Sequence, residues 1–175
     1  MKLAAIGYAA GQGDDVDAIL RTIAHELRAQ GYRLAGAVQW NEPREGLPHD
    51  AMILEDLATG RRLDVSGDPG AGAGGCRLDS YALENVAGLV AGTIGPDVDL
   101  VILNRFGKQE AARAGFRSII EAAVATELPV LTGLNDAHRP LWEAFTSGEC
   151  VYLAPERDEI EAWARRTLAE KLTAQ

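Results

Sequence analysis

Short apolar runs alternate along this chain with stretches of helical period, and that alternation leaves few folds open. Leu3–Gly7 precedes an amphipathic stretch, Asp15–Gln30, in which Val16, Ile19, Leu20, Ile23 and Leu27 share one face. Gly31 closes that helix, and Tyr32–Gln39 reads as a second strand. Asp99–Leu103 is a continuous apolar run of the kind found in central parallel strands. A helix over Glu110–Thr126, a strand over Pro129–Leu134, a short helix over Arg139–Phe145, a strand over Cys150–Leu153 and a helix over Glu156–Lys171 follow. This order predicts a mostly parallel α/β sheet with helices on both faces. Asp50–Leu57 and Arg61–Val65, around Ala58-Thr59-Gly60, predict an inserted β-hairpin, and a further helix is expected over Ser80–Thr93.

The 175 residues fit one domain, 1–175, with enough chain to bury a core without staples. A net charge of −9 argues against nucleic acid or an anionic membrane as partner, since both require a basic face. It leaves room for a small anionic ligand, which responds to local charge, and for a protein partner. Cys76 and Cys150 lie far apart, and His25, His49 and His138 are dispersed, so no metal-ligand spacing is present. Trp40, Trp142 and Trp163 read as packing residues. No run approaches the roughly 20 apolar residues of a membrane helix. Leu3–Ala10 reads as a buried strand rather than a signal segment, and a cytoplasmic location is expected.

Ligands of such sheets bind outside the carboxyl ends of the strands, which fall at Tyr8–Asp15, Gln39–Glu45, Asn104–Glu110 and Asn135–His138. In the first of these, Gly11 and Gly13 would let backbone approach a ligand at the start of a helix. A phosphate-binding loop would follow its last glycine with Lys and Ser/Thr; here Asp14 and Asp15 stand in those places. A like-charge contact at 4 Å costs roughly 4 kcal/mol at an effective dielectric of 20. The alternative is that Asp14 caps the helix and Asp17 favours its dipole.

The second segment, Asn104-Arg105-Phe106-Gly107-Lys108-Gln109-Glu110, offers an amide and a guanidinium where phosphate-loop enzymes place an acidic metal ligand. Arg105 and Lys108 are candidate anion contacts, or else part of a solvated basic turn hinged at Gly107. A third segment, Ser66–Gly75, is glycine-rich and leads into Cys76 and Arg77. It reads as an anion-binding lid carrying Arg77 or as a plain surface loop. Cys76 reads as a small buried thiol, or as a reactive one if cations flank it.

Together, the glycine loop, the hairpin and the Gly-Lys-x-Glu turn resemble the small thermophile-type nucleoside-triphosphatases, whose second motif, Asp-Glu-Ile-Gly-x-Met-Glu, aligns with 104–110. Phe116 and Pro129-Val130-Leu131 resemble further marks of that group. The chain looks closer still to an uncharacterised bacterial family of this fold, through Gly75–Asp79 (Gly-Cys-Arg-Leu-Asp), the 104–110 turn and Trp142-Glu143-Ala144-Phe145. That likeness implies a P-loop-NTPase-like fold and genes placed beside those of molybdenum and nitrogenase metabolism. Against the triphosphatases, Tyr8 replaces the first loop glycine, and Asp14, Asp15, Asn104 and Arg105 replace the phosphate and metal ligands.

Hydrolysis by the usual route is therefore not expected. The leading expectation is non-hydrolytic binding of a molybdate-like oxyanion or a phosphorylated ligand by Gly11, Gly13, Asp14, Asp15, Cys76, Arg77, Asn104, Arg105 and Lys108. The alternatives are a Mg-nucleotide enzyme using Asp14 and Asp15 as metal ligands, and a partner-binding subunit with a vestigial pocket.

Overall fold

The computed structural model describes residues 2–46, 49–67 and 78–173. Strands β1 (Leu3–Tyr8), β2 (Leu34–Glu42), β3 (Ala51–Asp56), β4 (Arg62–Asp64), β5 (Leu100–Phe106), β6 (Val130–Asn135) and β7 (Val151–Leu153) form one sheet in the order β4-β3-β2-β5-β6-β1-β7. From β2 to β7 every neighbouring pair is parallel. The expected hairpin adds β3 and β4 antiparallel at the β2 edge.

Each central strand is apolar on both faces because each face is covered. On one side α1 (Gly13–Ala29) and α6 (Arg157–Thr173) bury Leu20, Ile23, Ile160 and Trp163 against Ile6, Leu100 and Ile102. On the other, α2 (Ser80–Ala91), α4 (Arg117–Ala125) and α5 (Arg139–Thr146) bury Val86, Ile119 and Trp142 against Ala5, Val101 and Leu103. Burial of this kind stabilises by roughly 1.5–3 kcal/mol per large apolar side chain.

Four local expectations are corrected. The first helix begins at Gly13 and is capped by Gln12, not by Asp14, whose side chain makes no cap bond. The second strand starts at Leu34 and runs on to Glu42, carrying Gln39 and Asn41 into the ladder. Strand β5 does not stop at Leu103. It continues through Asn104 and Arg105 to Phe106, with a register shift against β6 between Leu103 and Arg105. The helix expected over Glu110–Thr126 is two helices, α3 (Lys108–Ala111) and α4, parted where Arg113 (φ 67°) and Gly115 (φ 60°) enter the left-handed region.

Candidate functional site

Because β1, β2, β5 and β6 are parallel, Tyr8, Gln39, Asn104, Arg105 and Asn135 come to one edge of the sheet. There they line a cleft of about 430 Å³. Its other wall is apolar and comes from the hairpin and its surroundings: Met52, Leu54, Val65, Leu78 and Leu83. A wider groove of about 650 Å³ opens at the opposite edge, on Leu3, Val124 and Leu128. Its Lys2 and Glu127 pair with each other at 3.3 Å, so it offers few convergent polar groups.

Arg105 is the centre of the strand-end cleft. Nη2 donates to Oδ2 of Asp17 at 2.6 Å. Nη1 lies so close to Gly13 that a β-carbon there would stand 2.6 Å from it. A β-carbon at Gly133 would meet Cγ of Arg105 at 3.2 Å. One glycine from the helix start and one from β6 thus open the slot that the side chain fills. Gly13 serves the approach of a protein side chain. Gly11 adopts φ +89° in an open turn with nothing near its missing β-carbon.

Asp17 is 2% exposed, and its Oδ1 is buried without a donor. Burial pushes its pKa up to about 7; the Arg105 guanidinium opposes that rise and the neighbouring Asp14 adds to it. Burial also raises the Tyr8 hydroxyl, again against the pull of Arg105. Sequence reasoning placed Asp17 only as a dipole partner. The usable signal was its position within the apolar stripe of the helix, beside Val16 and one turn before Leu20.

A relay of amides joins the other polar residues. Asn104 Nδ2 donates to Gln39 Oε1 (2.7 Å), Gln39 Nε2 to Asn41 Oδ1 (2.8 Å), and Asn41 Nδ2 to Asp14 Oδ1 (3.1 Å). A carboxylate only accepts, so Asp14 fixes the direction of every amide behind it. The relay ends on Asn104 Oδ1, which is buried and has no donor. The His138 Nδ1 atom is likewise buried and unpartnered, and His138 also lines the cleft.

The remaining candidates separate. Asp15 is exposed on the first turn of α1. Consecutive helical positions point about 100° apart, so Asp14 and Asp15 do not converge. With Asp14 committed to Asn41 and a guanidinium against Gly13, these residues do not fit the Mg²⁺ site of a nucleotide enzyme. Among the described residues no group of three or more His, Cys, Asp or Glu could hold a metal ion. Lys108 is exposed at the first position of α3, on the cleft rim. Cys76 and Arg77, with most of the glycine-rich segment, lie outside the described residues.

Glu110, the last residue of the 104–110 motif, is structural. Its carboxylate accepts from Gly107 N (2.9 Å) and Phe116 N (3.1 Å), capping α3 and closing the turn into α4. Burial raises its pKa, and the two backbone donors oppose the rise.

Residues 3–163 match the family described as "Protein of unknown function (DUF2478)", and the chain belongs to that family. It is also 39% identical over 154 residues to the Molybdenum import ATP-binding protein ModC 2 of Bradyrhizobium diazoefficiens. The match covers 88% of this chain but only 17% of that relative's length. No solved structure matches the chain. The sheet order, the strand–loop–helix start and this kinship agree on a P-loop-NTPase-like α/β fold. Among the described residues no helix is long and apolar enough to cross a membrane.

Proposed function

Since membership of this family brings no assigned activity, we propose a function from the cleft itself: non-hydrolytic binding of a small anion on a P-loop-type scaffold. The observation that carries this reading is the seating of Arg105 against Gly13 at the start of α1. A guanidinium offers several N–H donors in a fixed fork, and only one bond, to Asp17, is made within hydrogen-bond distance of a carboxylate. The helix start adds its own N–H groups, and Lys108 supplies a second cation at the rim. Where a hydrolase needs an acidic metal ligand, the strand end bears Asn104 and Arg105, groups that serve an anion rather than a cation.

The anion is a molybdate-like oxyanion or a phosphorylated ligand. The printed name of the relative, a molybdenum import ATP-binding protein, favours a place in molybdenum handling. The same relative favours a second reading. Its matching segment is 17% of a much longer chain named for ATP binding, so this chain corresponds to a module that works beside other modules. In that case its partner is a protein rather than a nucleotide.

The test is thermal unfolding with molybdate, inorganic phosphate and Mg-ATP in separate arms. Ligand at 100 times its dissociation constant adds about 2.7 kcal/mol. Stabilisation by an anion that is lost in the Arg105→Ala/Lys108→Ala double variant supports the reading. Phosphate release from Mg-ATP, or anion binding indifferent to that double variant, overturns it.

A further inference from the structure

The cleft is far larger than a bare oxyanion requires. A tetrahedral oxyanion displaces roughly 100 Å³, judged against about 30 Å³ per liquid water, whereas the cleft holds about 430 Å³. That volume falls in the range of roughly 300–1,000 Å³ that houses organic ligands. The extra space is not polar. It lies against Met52, Leu54, Val65, Leu78 and Leu83, on the side away from Arg105 and Lys108. An inorganic anion would leave this wall uncovered and gain nothing from it.

A second observation concerns Asn104, which is 7% exposed and lines the same cleft. The relay anchored at Asp14 turns its Nδ2 toward Gln39 and leaves Oδ1 as an acceptor with no donor. A buried polar group without a partner costs about 1–3 kcal/mol. An oxyanion, itself an acceptor, cannot relieve that cost; an N–H or O–H group can.

Resting on the anion-binding reading above, we propose that the ligand is an organic phosphate. Its phosphate meets Arg105 and Lys108, its apolar or ring portion covers the Met52–Leu54–Val65 wall, and an N–H or O–H donor satisfies Asn104. Nucleoside monophosphates carry all three parts and are suitable probes. The altered first loop does not hold their phosphate in the manner of a triphosphatase, because Arg105 occupies that space.

The experiment is calorimetric titration with inorganic phosphate, molybdate, phenyl phosphate, the purine and pyrimidine nucleoside monophosphates and the corresponding nucleosides. At least one organic phosphate is expected to bind about tenfold or more tighter than either inorganic anion, the gain from covering apolar surface. Met52→Trp, at a partly exposed position on the wall, is expected to erase that advantage and leave inorganic phosphate binding unchanged. A cooperative melt of this variant checks that it folds. Arg105→Ala is expected to remove both kinds of binding. If inorganic anions bind as tightly as every organic phosphate, the present inference fails and the anion reading stands. If nucleosides bind as tightly as their monophosphates, or no anion binds, both fail.

Discussion

Arg105, near the end of β5, holds Asp17, one turn into α1, by a single 2.6 Å bond from Nη2 to Oδ2, while Asp17 Oδ1 stays buried without a donor. Two segments 88 residues apart are thereby tied at the edge where a ligand would enter. Removing one partner of a buried pair costs roughly 3–5 kcal/mol, but Asp17 can take up a proton once its cation is gone. Arg105→Ala is therefore expected to lower unfolding stability by about 2–3 kcal/mol. An Arg105→Leu/Asp17→Leu double variant should recover most of this loss, because neither charge then remains buried. Urea denaturation of the three proteins measures both effects, and a double variant weaker than Arg105→Ala would refute the account.

The raised pKa of Asp17 has a defined sign in stability. Its value is about 7 in the folded chain against 3.8 for the unperturbed side chain. Between those values the native state holds the extra proton, so this residue's contribution to stability falls as pH rises from about 4 to 7 and levels off above. The slope is at most about 1.4 kcal/mol per pH unit. Asp17→Asn removes the titrating group. Subtracting its stability–pH curve from that of the parent should leave a decline confined to this window, and a flat difference curve would mean that Asp17 titrates normally.

Glu110 yields a prediction independent of any ligand. Its two oxygens accept from Gly107 N and Phe116 N, and they lie against Gly115, where a β-carbon would collide with Oε1. Glu110→Ala leaves two backbone donors unpaired, a loss of about 2–4 kcal/mol. Glu110→Gln keeps an acceptor for one of them and should lose about half as much. Equal losses in the two variants, read from denaturant midpoints, would mean that packing rather than the cap carries the effect.

The sheet and hairpin were legible because they rest on periodicity. Leu3–Gly7, Asp99–Leu103 and Pro129–Leu134 are apolar on both faces, and Ala58-Thr59-Gly60 breaks the pattern at the hairpin turn. The site was legible in part. Asn104 and Arg105 stood out as wrong for a metal site, but nothing marks a polar pair as strand residues, and the run to Phe106 depends on pairing with Leu134 of β6. The contact of Asn104 with Gln39 spans 65 positions and arises only when β2 and β5 lie side by side. The break at Arg113 was hidden because arginine rarely adopts a positive φ.

The position of Arg105 also predicts what repair of the first loop would achieve. Asp14→Lys with Asp15→Thr restores the side chains that a phosphate loop uses for the β/γ-phosphates and Mg²⁺. The cradle itself depends on backbone N–H groups meeting the phosphates at the helix start. In this chain Nη1 of Arg105 lies against Gly13 at that point, held by Asp17 and seated against Gly133. The two loop changes alone should therefore give no stabilisation by Mg-ATP in a thermal melt. Adding Arg105→Ala empties the slot, and only then should a Mg-ATP-dependent shift emerge. A shift already present in the Asp14→Lys/Asp15→Thr protein would show that Arg105 swings aside at little cost. The identity of Asp14 and Asp15, rather than the arginine across from Gly13, would then be what closes this loop to nucleotides.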